Sequence, residues 1–579
     1  MKNRLLHTQK FFILGFFALC FACSPARPEE DAPLPSPQAV KTALADSAMI
    51  VSAHPLATQA GLEILRQGGN GVDAAVAVQF ALAVVYPRAG NLAGGGFLLV
   101  RTPQGQVKAL DYREKAPLAA SRDMYLDEEG NPIPGLSQNS LLAVGVPGTV
   151  MGLYEAWKTY GQMPRFADLL QPAIELAERG FLITQTEADR LNRFDSVFAK
   201  RNPYPMPFLK KGGWKAGDVL RQKELAQTLR RIAKEGHEDF YRGKTAQILS
   251  QFMRENGGLI TEKDLAEYRS IWRKPVQTSF KAFTLYSMPP PSSGGIALAQ
   301  MLEMLEPFPM ESHPWLSTYN THLCIEAMRR AFADRAYYLG DSDFYPVPVD
   351  SLLDSLYLRK RMSDFTAERA GQSETIREGH FQLALESFET THTSVVGPQG
   401  YAVSITTTLN SNYGCKIWVP RLGFFLNNEM DDFSIKPGVP NQFGLVGAEA
   451  NAIAPGKRML SSMSPSIVEK DGQLFLVIGS PGGPAIITSV LEVILQVSRF
   501  GESLEKAIAT ARYHQQWLPP QTWYEEGFPP ALLDSLRAMG HELRPKKRIG
   551  LVKAIQRLPS GQWKGAGDPR QPDDHARGY

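Results

Sequence analysis

The feature that most constrains the fold is a change of pattern near residue 390, where a charged, weakly periodic stretch gives way to paired strands. Thr393 to Gly397, a Pro398-Gln399-Gly400 turn and Tyr401 to Leu409 read as one hairpin. Ser464 to Lys470, an Asp471-Gly472 turn and Leu474 to Ile478 read as a second. Pro484 then stands where the first turn of a helix begins, with Ile486 to Val497 behind it. Upstream, His54 to Gln67 and Val72 to Val85 have helical spacing, the second rich in small residues that let a helix lie close on a sheet. Gly94-Gly95-Gly96 leads into a further hairpin, Phe97 to Arg101 and Val107 to Tyr112, with Arg113 at its end. The triple glycine has neither GxGxxG nor P-loop spacing, so it is a tight strand entry rather than a phosphate cradle. From Val150 to Arg269 the chain is mostly outer-layer helix, as in Phe166 to Arg179 and Gln222 to Lys234. Pro289 to Gly295 breaks the pattern before helices at Ile296 to Leu305 and Thr318 to Leu339, the latter terminated by Gly340. Arg359 to Glu389 is charged and weakly periodic, a mobile connector. Strands with helical segments on both sides indicate a layered α/β fold.

Charge excludes several partners. With 62 basic against 59 acidic residues the net charge is +3, so no global field recruits nucleic acid or anionic lipid. The dense basic run Arg544-Pro545-Lys546-Lys547-Arg548 reads as a solvated loop. Cys324 and Cys415 lie in no metal or redox spacing and read as packed free thiols, and the ten histidines form no HExxH pattern. No metal and no cofactor are expected.

The N-terminus reads as a leader. Lys2, Arg4 and Lys10 precede the apolar run Phe11 to Leu19, which is too short to span a bilayer and suits a secretory signal. Cys20-Phe21-Ala22-Cys23 resembles a lipoprotein cleavage site with Cys23 as the lipidated residue, although Cys20 replaces the usual leucine; plain cleavage between Ala22 and Ala26 is the alternative. The expected organisation is a leader over 1–23 and a proline-rich linker over 24–42, with the protein exported to the periplasm or cell envelope and tethered there at Cys23.

The run Glu389-Thr390-Thr391-His392-Thr393-Ser394 is followed by Thr408-Leu409-Asn410, Asn427-Asn428-Glu429-Met430-Asp431-Asp432, Ser461-Ser462 and Gly482-Gly483. A hydroxyl, paired carboxylates, paired serines and a double glycine are the components of an acyl-transfer site. In this order they resemble the γ-glutamyltransferases from about Ala43 to Tyr579. The resemblance implies a four-layer αββα sandwich of the N-terminal nucleophile hydrolase type. It also implies self-cleavage between Glu389 and Thr390, leaving a large subunit (43–389) and a small one (390–579) as a heterodimer in one compact unit.

Cleavage would supply a base as well as a nucleophile, because a freed α-amine has a reference pKa of about 7.7 to 8.0. By the same resemblance Thr390 is the nucleophile and Thr408 its hydrogen-bond partner, with Gly482 and Gly483 forming the oxyanion hole. Arg113 meets the substrate α-carboxylate with help from Ser461 and Ser462, and Asn410, Glu429 and Asp432 receive the α-ammonium. His392 is either part of the site or a residue that only satisfies hydrogen bonds. Donors would be glutathione and other γ-glutamyl compounds, with water, amino acids or dipeptides as acceptors. The chain departs from the family pattern at Phe443, where tyrosine is common, and at Pro484-Ala485 after Gly483. Two other readings are a glutaryl acylase of β-lactam side chains from the same superfamily, and an uncleaved lipoprotein that binds amino acids.

Overall fold

Helix Pro55–Arg66 begins where His54 Nδ1 accepts a hydrogen bond from Leu56 N at 3.2 Å, with proline in the first turn where its missing N–H costs nothing. Helix Gly71–Val85 starts at a capping box, Asn70 Oδ1 accepting from Asp73 N and Asp73 Oδ2 from Asn70 N. This second helix is buried along its whole length, which the small residues of its sequence permit. The computed structural model describes residues 40–377, 389–436 and 448–579. The leader, Cys23, most of the proline-rich linker and Phe443 lie outside the described residues.

Two antiparallel seven-stranded sheets form the centre. In the first, strands run in the order His575–Gly578, Met49–Ser52, Glu389–Val396, Ala402–Asn410, Gly95–Arg101, Val107–Asp111 and Ile271–Arg273. In the second the order is Thr42–Ala45, Trp563–Ala566, Lys553–Arg557, Gln473–Gly479, Ser466–Lys470, Phe283–Ser287 and Val276–Phe280. Both hairpins expected after residue 390 are present, one in the middle of each sheet. Along the Glu389 strand the side chains alternate: Val395 joins the apolar cluster under helix Gly71–Val85, whereas Val396 joins the cluster that continues into the second sheet. Helices Gly294–Leu305, Thr318–Tyr338 and Ala485–Ser498 cover the far side of that second sheet. The result is the four-layer αββα sandwich, and residues 37–579 form one compact unit.

Several local expectations need correction. Gly340 does not end its helix through a left-handed backbone; Leu339 is extended there, and a Cβ on Gly340 would lie 2.2 Å from Ala450 O. The run at Arg544 is not a solvated loop, since Leu543–Pro545 pairs with strand Thr522–Tyr524 and Lys546 lies 4.9 Å over the Trp523 ring. The described part of the 359–389 connector is docked: Trp517 Nε1 donates to Ser373 O at 2.7 Å and Ala370 N to Met539 O at 2.8 Å. Residues 378–388 lie outside the described part. Cys324 and Cys415 are free and buried, in different apolar clusters.

Candidate active site

Thr390 is 5% exposed at the start of a central strand. Its neighbours set its position. Glu389 pairs with Asn410 and Thr391 with Thr407, so the partner strand spends one extra residue opposite Thr390. That bulge brings Thr408 and Leu409 across from it. Strand Gly95–Arg101 closes on the other side of Thr408 so tightly that a Cβ on Gly94 would lie 2.0 Å from Thr408 O. The triple glycine is therefore a strand entry shaped by backbone approach.

His392 faces the second sheet. Its ring is fully buried, with Nδ1 2.8 Å from Thr406 Oγ1 and Nε2 3.1 Å from Ser394 Oγ. Burial holds its pKa well below the usual value, with Lys553 acting in the same direction, so the imidazole is neutral. Gly479 in the opposing sheet makes room for it: a Cβ there would sit 2.3 Å from His392 Cε1. Ser394 Oγ donates to Val477 O at 3.3 Å, so the facing strands advance two residues for two, 394 against 477 and 392 against 479. Beyond Gly479 the strand ends and the chain turns at Pro481-Gly482-Gly483. Gly482 has φ 138° and Gly483 φ 59°, conformations suited to glycine, and helix Ala485–Ser498 follows at once. A backbone that turns there, ahead of a helix N-terminus, presents N–H groups and positive potential.

The recognition residues converge from distant parts of the chain. Arg113 is 1% exposed at the end of the Val107 strand. Its Nη1 lies 2.6 Å from Glu429 Oε2 and 3.5 Å from Glu114 Oε2, while Nη2 lies 2.5 Å from Asp432 Oδ2 and donates to Leu460 O at 3.2 Å. Tyr268 Oη donates to Arg113 O at 2.9 Å and fixes the backbone. Glu429 to Asp432 form one buried turn of 3-10 helix, not a solvated loop. Asn427 secures it, donating to Ala93 O and Gly145 O at 2.8 Å each and accepting from Gly145 N and Glu429 N. Burial raises Glu429 to about 8 against the opposing pull of Arg113, and the neighbouring Glu114 raises it further. Glu114, fully buried, is also raised by burial to about 8.

Asn410 adopts a left-handed backbone, φ 72°, stabilised by its N–H donating to Thr408 Oγ1 at 2.7 Å. Its side-chain Nδ2 donates to Asn428 O at 3.0 Å. Ser461 and Ser462 lie in a buried loop against the Pro289–Gly295 run. Ser293 N and Oγ donate to Ser461 O at 2.7 and 2.8 Å, and Arg335 bridges Ser293 Oγ at 2.8 Å and Ser462 Oγ at 3.2 Å.

The structure thus brings Thr390, Thr408, Asn410, Glu429, Asp432, Arg113, Ser461 and Ser462 to one buried region. Arg113 is placed against both Glu429 and Asp432, so groups of both charges stand side by side in this buried region. Glu114, next to Arg113 in the chain, was not among the residues the sequence singled out; adjacent charges at a strand end were the available signal. Arg335 and Ser293 gave none, because their role depends on a contact between distant segments. No helix among the described residues is long and apolar enough to cross a membrane.

A model of the family described as gamma-glutamyltranspeptidase matches residues 57–578. The glutathione hydrolase proenzyme of Escherichia coli (strain K12) is 45% identical over 537 residues, which is 92% of each chain. The protein of the same name from Pseudomonas sp. (strain A14) is 42% identical over 547 residues, 92% of this chain and 95% of that one. Among solved structures, cephalosporin acylase from Bacillus halodurans superposes with a TM-score of 0.80 at 27% identity, covering 96% of this chain and 99% of the other.

Proposed function

Because the chain belongs to the gamma-glutamyltranspeptidase family, we propose that it is a self-processing γ-glutamyltransferase and glutathione hydrolase whose nucleophile is Thr390. Hydrolysis of the Glu389–Thr390 peptide leaves a carboxylate on Glu389 and an α-amine on Thr390. The amine accepts the hydroxyl proton as Thr390 Oγ1 attacks the donor γ-carbonyl. The developing oxyanion faces the Gly482 and Gly483 N–H groups. The leaving amine takes up the proton and departs, cysteinylglycine in the case of glutathione, leaving a γ-glutamyl ester on Thr390. Water or the amine of an amino acid or dipeptide then attacks the ester and restores the hydroxyl.

One observation carries the reading: Leu409 and Asn410, at the bulge opposite Thr390, are hydrogen-bonded to Asn428 (Asn428 N donates to Leu409 O at 3.1 Å and Asn410 Nδ2 to Asn428 O at 3.0 Å), and the next residue, Glu429, lies 2.6 Å from Arg113. The candidate nucleophile and an amino-acid recognition site of both charges are therefore parts of one network. Arg113 takes the donor α-carboxylate with Ser461 and Ser462, and Glu429, Asp432 and Asn410 take the ammonium. The acylase reading draws on the Bacillus halodurans likeness. A glutaryl donor has no α-ammonium, however, and would give Glu429 and Asp432 no group to hold. Export to the periplasm or cell envelope and a lipid tether at Cys23 belong to the same proposal, on the strength of the leader.

The test is N-terminal sequencing of the smaller fragment, with a Thr390→Ala comparison. A fragment beginning at Thr390 and a single uncleaved, inactive Thr390→Ala chain are expected. Cleavage and full turnover in Thr390→Ala would refute the assignment. Hydrolysis of a γ-glutamyl anilide ahead of a glutaryl anilide is expected, and the reverse order would favour the acylase.

A further inference from the structure

A second cluster lies away from this site, between helix Thr318–Tyr338 and the C-terminal segment. His322 and Glu326 are one turn apart on the same face of the helix, and His541 reaches them from more than two hundred residues later. All three are buried, and one nitrogen or oxygen from each lies within 4.8 Å of the others. From this geometry we propose that His322, Glu326 and His541 form a divalent transition-metal site, of the two-imidazole, one-carboxylate kind that zinc favours.

The outer contacts suit that role. Thr366 O can only accept, so the 2.8 Å contact to His322 Nε2 places the ring proton there and leaves the Nδ1 lone pair facing His541. His322 Nδ1 and His541 Nε2 are 2.8 Å apart, sharing one proton. Metal bonds of about 2.0 to 2.1 Å in a tetrahedral arrangement require roughly 3.3 Å between ligand nitrogens, so the rings need separate by only about 0.5 Å. The displaced proton has a destination: His541 Nδ1 is buried and has no hydrogen-bond partner among the described residues. Glu326 Oε1 accepts from Gly371 N at 3.1 Å, and Glu326 pairs with Arg330 at 2.6 Å and Arg329 at 3.4 Å. Arg330 also pairs with Asp364 at 2.7 Å, so that arginine keeps a carboxylate partner when a cation enters. A cavity of about 330 Å³ lined by Glu326, Asp364 and Thr366 gives an entry path and room for a water as the fourth ligand.

The ligands come from both sides of Thr390, so the metal would also staple the two segments together after cleavage. Metal binding does not depend on cleavage, and the test separates the two. Chelator-stripped wild-type protein is dialysed against zinc, and metal content is compared with His541→Gln and Glu326→Gln. Cobalt substitution provides a visible spectrum whose intensity reports four-coordination. One zinc per wild-type chain, an intense cobalt band, and loss of both in His541→Gln are expected. Zinc at a hundredfold excess over its dissociation constant should raise the folded-to-unfolded ratio about a hundredfold in wild type, and leave His541→Gln unchanged. Equal zinc in wild type and both variants, or none in wild type, would overturn the proposal.

Discussion

Gly479→Ala tests whether the spacing between the two sheets fixes the strand that carries Thr390. An added Cβ would lie 2.3 Å from His392 Cε1, 2.4 Å from Nδ1 and 2.8 Å from Nε2. Ordinary contact begins near 3.4 Å, so the ring or the strand must yield by about 1 Å. The ring has nowhere free to go, because Thr406 Oγ1 holds one nitrogen at 2.8 Å and Ser394 Oγ the other at 3.1 Å. Overpacking costs about 1 to 3 kcal/mol, and breaking two buried hydrogen bonds adds about 1 kcal/mol each, for an expected loss of about 3 to 5 kcal/mol. Urea unfolding in a Thr390→Ala background, where cleavage should not intervene, measures it. His392→Ala alone should also destabilise, and the double variant should lose about 2 kcal/mol less than the sum of the two single losses, a coupling energy of about 2 kcal/mol. In chains that retain Thr390, Gly479→Ala should also slow the appearance of two fragments. A change below about 0.5 kcal/mol, or strictly additive effects of the two substitutions, would refute the argument.

Arg113→Lys keeps the charge but loses the fork that reaches Glu429, Asp432 and Leu460 O together. A loss of kcat/KM of about a hundredfold for a γ-glutamyl anilide is expected, about 2.7 kcal/mol of transition-state binding; a change under threefold would contradict the assignment. Glu429, raised to about 8 by burial, is protonated through most of the neutral range and must ionise to hold an α-ammonium. Glutamate binding should therefore release a proton, with its inhibition constant falling up to about tenfold per pH unit as pH rises toward about 8 and flat above. In Glu429→Gln the dependence should disappear, and a wild-type constant that does not vary between pH 6 and 8 would show that Glu429 is already ionised.

Much of this protein was legible locally. The hairpins after residue 390, the helix over Phe166–Arg179 and the turn at Gly482-Gly483 follow from periodicity and from residues whose backbone preferences act over a few positions. The resemblance of the ordered motifs to the γ-glutamyltransferases implied Thr390, Arg113, Glu429, Asp432 and the serine pair as one constellation. What remained hidden depended on partners. Nothing near Gly340 announces Ala450, and nothing near Lys546 announces Trp523, so a terminating glycine and a solvated basic loop were the natural readings.

The sequence by itself determined the principal hairpins and helices, and which residue types could carry acyl-transfer chemistry. Tertiary structure alone decided the state of those residues. It set Arg113 between Glu429 and Asp432, wedged His392 over Gly479, and brought His541 to His322 and Glu326. Periodicity specifies the face a side chain presents but not what will cover it. Desolvation and charge pairing, which fix protonation and reactivity, depend on that cover.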